Sequence, residues 1–136
     1  MDVQRFLIAT VVGGVTLFVV GFLVYGLALA NAYPETGIDR EAPLWLWLIL
    51  TEFAWAALLT VILSKWPGGS TAGGGFMAAA LVGLLISIAF GLGFYAMTTL
   101  PTSVMSYIDP FVSAVVFGTG GAAIGWSLGR GAPQQV

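Results

Sequence analysis

One formal charge lies in the centre of an apolar run of this chain: Glu52, inside Leu44–Ser64. A carboxyl group in hydrocarbon has few uses. It can bind a proton or a cation on a transport path, the default for an ionisable residue within a membrane. Without a cationic partner it also favours its neutral form and then acts as a hydrogen-bonding acid. No Lys or Arg falls inside an apolar run, so the partners of Glu52 must be hydroxyls. Tyr25 and Tyr95 lead these. Their side chains lean toward their own helix N-termini, which brings the phenols toward the level of Glu52. Thr51 is adjacent, and Ser87 and Thr119 are further interior candidates. Glu52, Tyr25, Tyr95 and Thr51 are therefore the candidate proton- or substrate-binding set. Against it stands a structural role, in which Glu52 ties its helix to a tyrosine or threonine; the lack of a second buried charge favours that role.

The remaining acids read more simply. Asp109 precedes Pro110, and the pair reads as a helix start, with Asp as the cap and Pro as the first helical residue. Glu35, Asp39 and Glu41 belong to the polar loop Asn31–Ala42, a solvated connection rather than a cation site. The chain has no Cys and no His. Disulfides, thiol nucleophiles, Cys/His zinc sites, His-ligated haem and His-based triads are excluded with them. The glycine-rich stretches lack the lysine of a phosphate loop. No nucleophile–base pair assembles from what is left, so the expectation is a non-enzyme without cofactor or metal.

The elements that hold these residues are membrane spans. Of 136 residues 59% are hydrophobic and 7% charged, with a mean hydropathy of +1.00. A water-facing domain carries about 25% charge, so this surface must face lipid. The net charge of −2 offers no basic stripe for nucleic acid. Four runs approach the roughly 20 residues that a span needs: 6–30, 44–64, 76–97 and 110–128, in a single domain over 1–136. Arg5 and the Ala28-Leu29-Ala30 sequence evoke a signal peptide. However, the first run far exceeds an apolar signal core of about 7–15 residues, so a retained helix is expected. Arg5, Lys65 and Arg130 share one side, which puts both termini in the cytoplasm. Tyr33, Trp45, Trp47 and Tyr107 then mark the outer interface, and Trp66 and Trp126 the inner one.

Shifting the first run by 70 positions matches Phe6 with Phe76, Ala9 with Ala79, Gly13 with Gly83, Gly21 with Gly91 and Tyr25 with Tyr95. The expected architecture is an all-α four-helix membrane bundle built from two parallel-repeat hairpins. Small residues four apart lie along one helix side and let backbones approach closely. Gly13 and Gly21 mark such a face on the first span, Gly83 and Gly91 on the third, and Gly121, Gly125 and Gly129 on the fourth. These seams are expected to pack the bundle itself, with Gly121–Gly129 the best face for a partner.

Arg5-Phe6-Leu7-Ile8-Ala9-Thr10, Gly13-Gly14, Tyr25-Gly26, Trp47-Leu48-Ile49-Leu50 and Asp109-Pro110…Gly125-Trp126 resemble small bacterial four-span membrane proteins grouped as a domain of unknown function. The likeness covers most of the chain and implies four helices in a bacterial inner membrane. In size and helix count the chain is also similar to small multidrug transporters, whose coupling glutamate lies in the first span, whereas Glu52 is in the second. The first functional expectation is an accessory or packing subunit of a larger membrane assembly, or a homo-oligomer, with lipid and other membrane chains as partners. The alternatives are a proton-coupled transporter of a small lipophilic or cationic compound through Glu52, and a lipid or pigment binder.

Overall fold

In the computed structural model, which describes residues 2–33, 40–99 and 104–130, the chain forms helices and, among those residues, no strand. Helix α1 covers Val3–Gly21 and runs on as a π-helical stretch, Phe22–Ala28. Helix α2 is Trp45–Lys65, α3 is Ala72–Met97 and α4 is Val104–Gly129. All four are long and apolar enough to cross a membrane. Counting α1 together with its π-helical continuation, the shortest span is α2, about 32 Å long at 1.5 Å per residue, against roughly 30 Å of hydrocarbon. Helix is the enforced outcome, because lipid offers no partner to an open backbone N–H or C=O.

The ends differ in places from the sequence expectation. Helix α4 begins at Val104, so Asp109 is not its cap and Pro110 lies inside it. Proline removes one helical hydrogen bond, yet leaving the apolar residues before it unwound would expose several backbone groups. Helix α3 begins at Ala72 rather than Phe76. Thr71 caps it, its Oγ1 accepting from the Gly74 N–H at 3.0 Å. Pro43 falls before Leu44, the residue that flanks the start of α2, and so outside the first turn. Between α2 and α3 the chain reverses through Gly68, whose φ of +76° suits glycine.

The α2–α3 turn lies beside the C-terminal end of α4, and the first half of α1 lies beside the last turns of α2. Gly125 and Gly129 of α4 abut the backbone of Gly69, Ser70 and Thr71, and Thr10 of α1 meets Thr60 of α2 at 3.5 Å. This end is termed lower, and the opposite end upper. Helix α3 packs chiefly on α4, and α1 sits between α2 and α4, while α2 touches α3 only lightly. The matched pairs Ala9 and Ala79, and Gly13 and Gly83, are all buried. The hairpins nonetheless have unequal surroundings, because α1 packs on α4 whereas α2 barely meets α3.

The core fills the lower half. Leu17, Leu59, Thr60, Leu63 and Ile124 are its largest fully buried side chains. Thr60 satisfies its hydroxyl by donating to the Ala56 carbonyl at 2.7 Å. Glycines let the helices close. A Cβ on Gly13 would stand 2.5 Å from Ile124, and one on Gly120 2.5 Å from Leu17, so α1 and α4 interlock as side chain into glycine notch. On the α3–α4 seam a Cβ on Gly75 would strike the Gly121 carbonyl, and one on Gly121 would strike Ala79. Backbone meets backbone there, the geometry expected of small residues four apart. The Gly121–Gly129 ridge is thus occupied by its own chain.

Candidate functional site

The upper half is built differently. Here the helices are joined by polar side chains around Asp109. Its Oδ1 accepts from the Tyr33 hydroxyl at 2.7 Å, and its Oδ2 accepts from Ser87 of α3 at 2.8 Å. One turn further along α4, Ser113 shares a 3.2 Å hydrogen bond with Tyr25. The rings of Tyr25 and Tyr33 lie 6.0 Å apart at 48°. Tyr25 also lies within electrostatic reach of both Asp109 and Glu52. The cluster therefore links the α1 end, α3 and α4 through one carboxyl group.

Two local features aim these groups. Positions 109 and 113 are four apart, so Asp109 and Ser113 face the same way from α4. Tyr25 is carried by the π-helical stretch, whose wider winding shows in the Leu29 N–H donating to the Val24 carbonyl at 2.8 Å. Gly26 makes that winding compact, because a Cβ there would stand 3.0 Å from the Phe22 ring. Tyr33, beyond the span, has its phenol pushed well above its ordinary value of 10, first by burial and then by the hydrogen bond to Asp109.

Beside the cluster, α3 and α4 part to leave a crevice of about 450 Å³. Its walls are largely apolar, with Leu84, Ile88 and Leu92 on one side, Pro110 and Phe111 on the other, and Tyr95 and Tyr107 near the opening. Ser87 is among its polar points. Gly91 also lines it, and a Cβ at Gly91 would meet nothing within 4 Å. At Gly83, two helical turns lower on the same stripe, a Cβ would meet Phe117 at 2.6 Å. The seam that closes the lower half ends between these two glycines.

The four residues grouped from the sequence lie in four different settings. Glu52 is half-buried where α2 faces α1, and a Cβ on Gly21 would come within 4.0 Å of its Oε1. Its carboxyl makes no hydrogen bond to any described residue, so the tie expected between Glu52 and a tyrosine or threonine is not formed among them. Tyr25 belongs to the Asp109 cluster. Tyr95 is 73% exposed on the crevice wall. Thr51 is exposed and donates to the Trp47 carbonyl of its own helix at 2.9 Å. Among the glycines, Gly13, Gly83, Gly121, Gly125 and Gly129 sit in tight contacts, while Gly21 and Gly91 do not.

Sequence reasoning passed over Asp109 as the centre, since capping explained it. The available signal was its i, i+4 partner Ser113. Among the described residues, no group of His, Cys, Asp or Glu could hold a metal ion. Comparison of the chain with known protein families, with curated proteins and with solved structures gave no match.

Proposed function

We propose that this chain is a non-enzymatic integral membrane protein that holds a small amphiphilic molecule in the crevice between α3 and α4. The carrying observation is the crevice itself, about 450 Å³ with apolar walls and a polar point at Ser87. Ligand sites of about 300–1,000 Å³ have this character, mostly apolar with a few placed polar groups. The closed lower half supports the reading by supplying a rigid frame. With Arg5, Lys65 and Arg130 at the lower end, the upper half and its crevice face outward. On the likeness to small bacterial four-span proteins, the membrane is a bacterial inner membrane.

The test is to purify the chain gently and identify what small molecule accompanies it, alongside Gly91→Leu, which fills the crevice. A bound compound lost from the variant supports the reading. Equal recovery from both proteins overturns it.

A second reading, an accessory subunit or homo-oligomer, draws on α2. Every residue from Trp45 to Thr51 is exposed, and α3 scarcely covers that helix. Other chains, or a second copy, in the same purified particle would support it.

A further inference from the structure

We infer that the molecule held in the crevice is a protonated amine on an apolar body; this rests on the binding role proposed above. The floor carries the argument. Ser87 spends its hydroxyl hydrogen on Asp109 Oδ2 at 2.8 Å, so what its oxygen offers the crevice is lone-pair density. The Asp109 carboxyl stands directly behind it, with Tyr33 on its other oxygen. A carboxylate has about four acceptor positions, and these two hydroxyls, with Tyr25 alongside, leave part of them open. An acceptor backed by a carboxylate selects a hydrogen-bond donor, and most strongly a cationic one.

The membrane spans supply no such cation, and Arg40, the one cation at the upper end, is exposed. Between Lys65 and Arg130 there is no Lys or Arg, so nothing within α3 or the spanning part of α4 neutralises Asp109. Tyr95, Tyr107 and Phe111 line the crevice, and aromatic faces attract a cation electrostatically. The apolar walls take the rest of the molecule. An anion would meet the Asp109 carboxyl behind Ser87, and a neutral hydrocarbon would leave the Ser87 acceptor unused. Two sources share the favoured chemistry: a free lipophilic amine and the ammonium headgroup of a lipid.

The experiment uses the full chain in phosphatidylcholine nanodiscs, with empty nanodiscs as the partition blank. Binding of 4-phenylbutylamine and of its neutral counterpart 4-phenylbutan-1-ol is measured by titration calorimetry at pH 7. The amine is expected to bind at least tenfold tighter than the alcohol. Asp109→Asn should bring the two within about twofold, and Ser87→Ala, which keeps the acid, should reduce the preference and serves if Asp109→Asn does not fold. Adding phosphatidylethanolamine assigns the source: competition with the amine points to a lipid headgroup, and no competition to a free amine. Equal binding of amine and alcohol overturns the cation inference while the binding role stands. Binding of neither at millimolar concentration overturns both.

Discussion

The lower and upper halves of this bundle solve the same problem with opposite means. Below, glycine seams bring helices into backbone contact, and among the described residues the core holds a single buried polar side chain, Thr60, which donates to its own helix and meets Thr10 at 3.5 Å. Above, α3 and α4 separate, and Tyr25, Tyr33, Ser87 and Ser113 hold the elements together around Asp109. Lipid provides no hydrophobic force between helices, so close packing and interhelical hydrogen bonds are the available ties. Packing demands complementary shape along a whole ridge. Hydrogen bonds act at points and leave room between them, which is how an open crevice survives beside a firm contact.

The sharpest break of this contrast is a pair of leucines. Gly121→Leu should drive the α3 and α4 backbones apart. Overpacking a yielding core costs about 1–3 kcal/mol, and a backbone neighbour yields less than a side chain, so we expect the largest loss here. Gly91→Leu, into open space, should stay within about 0.5 kcal/mol of the parent. Thermal unfolding in detergent compares them, and equal losses would erase the distinction between the halves. Next in size is Asp109→Leu, which takes the acceptor from both Tyr33 and Ser87. An interhelical hydrogen bond in a membrane averages about 0.6 kcal/mol, giving a loss of roughly 1 kcal/mol. Hydrogen exchange should rise in the upper part of α4 and stay unchanged in the lower part; a uniform rise would show that the halves open as one.

The pH dependence that Tyr33 brings is smaller and lies in alkali. The unfolded Tyr33 phenol ionises near 10, and the folded one holds its proton to higher pH. Above about pH 10 the folded chain therefore binds more protons than the unfolded chain, and stability falls as pH rises; below that, Tyr33 contributes no slope. Tyr33→Phe should remove this part of the alkaline loss, and identical alkaline curves for both proteins would contradict the cluster. Smallest of all is Glu52→Gln. With no hydrogen bond to a described residue, Glu52 should tolerate the change within about 0.5 kcal/mol. A loss above 2 kcal/mol would move the centre of the upper half from Asp109 to Glu52.

Much of the fold was legible because lipid imposes so few choices. Long apolar runs have to be helices, and small residues four apart can be seams, as at Gly121 and Gly125; spacing did not say which helix each would meet, and Gly21 and Gly91 meet none closely. The site was legible only in part. Glu52 stood out by its charge, yet what matters around a carboxyl is which hydroxyls reach it, and that depends on helix rotation. Tyr33 and Ser87 come from other segments of the chain, and no local pattern ties them to Asp109; only Ser113, four residues on in α4, shares its helix. The start of α4 was misplaced for a related reason: a local cap signal at Asp109-Pro110 competed with the demand of apolar surroundings for a closed backbone, and the surroundings won.

The π-helical stretch has a consequence for the 70-residue repeat. Counted at 100° per residue, twelve positions past Gly83 bring Tyr95 about 120° around its helix. Tyr25 lies the same twelve positions past Gly13, but π winding turns the chain less at each residue, so it arrives at a different azimuth. Two tyrosines that align letter for letter thus end with unlike fates: one faces α4 and joins the Asp109 cluster, and the other looks out from the crevice wall. Backbone winding is therefore one source of the divergence between the two hairpins, and an alignment of letters does not register it.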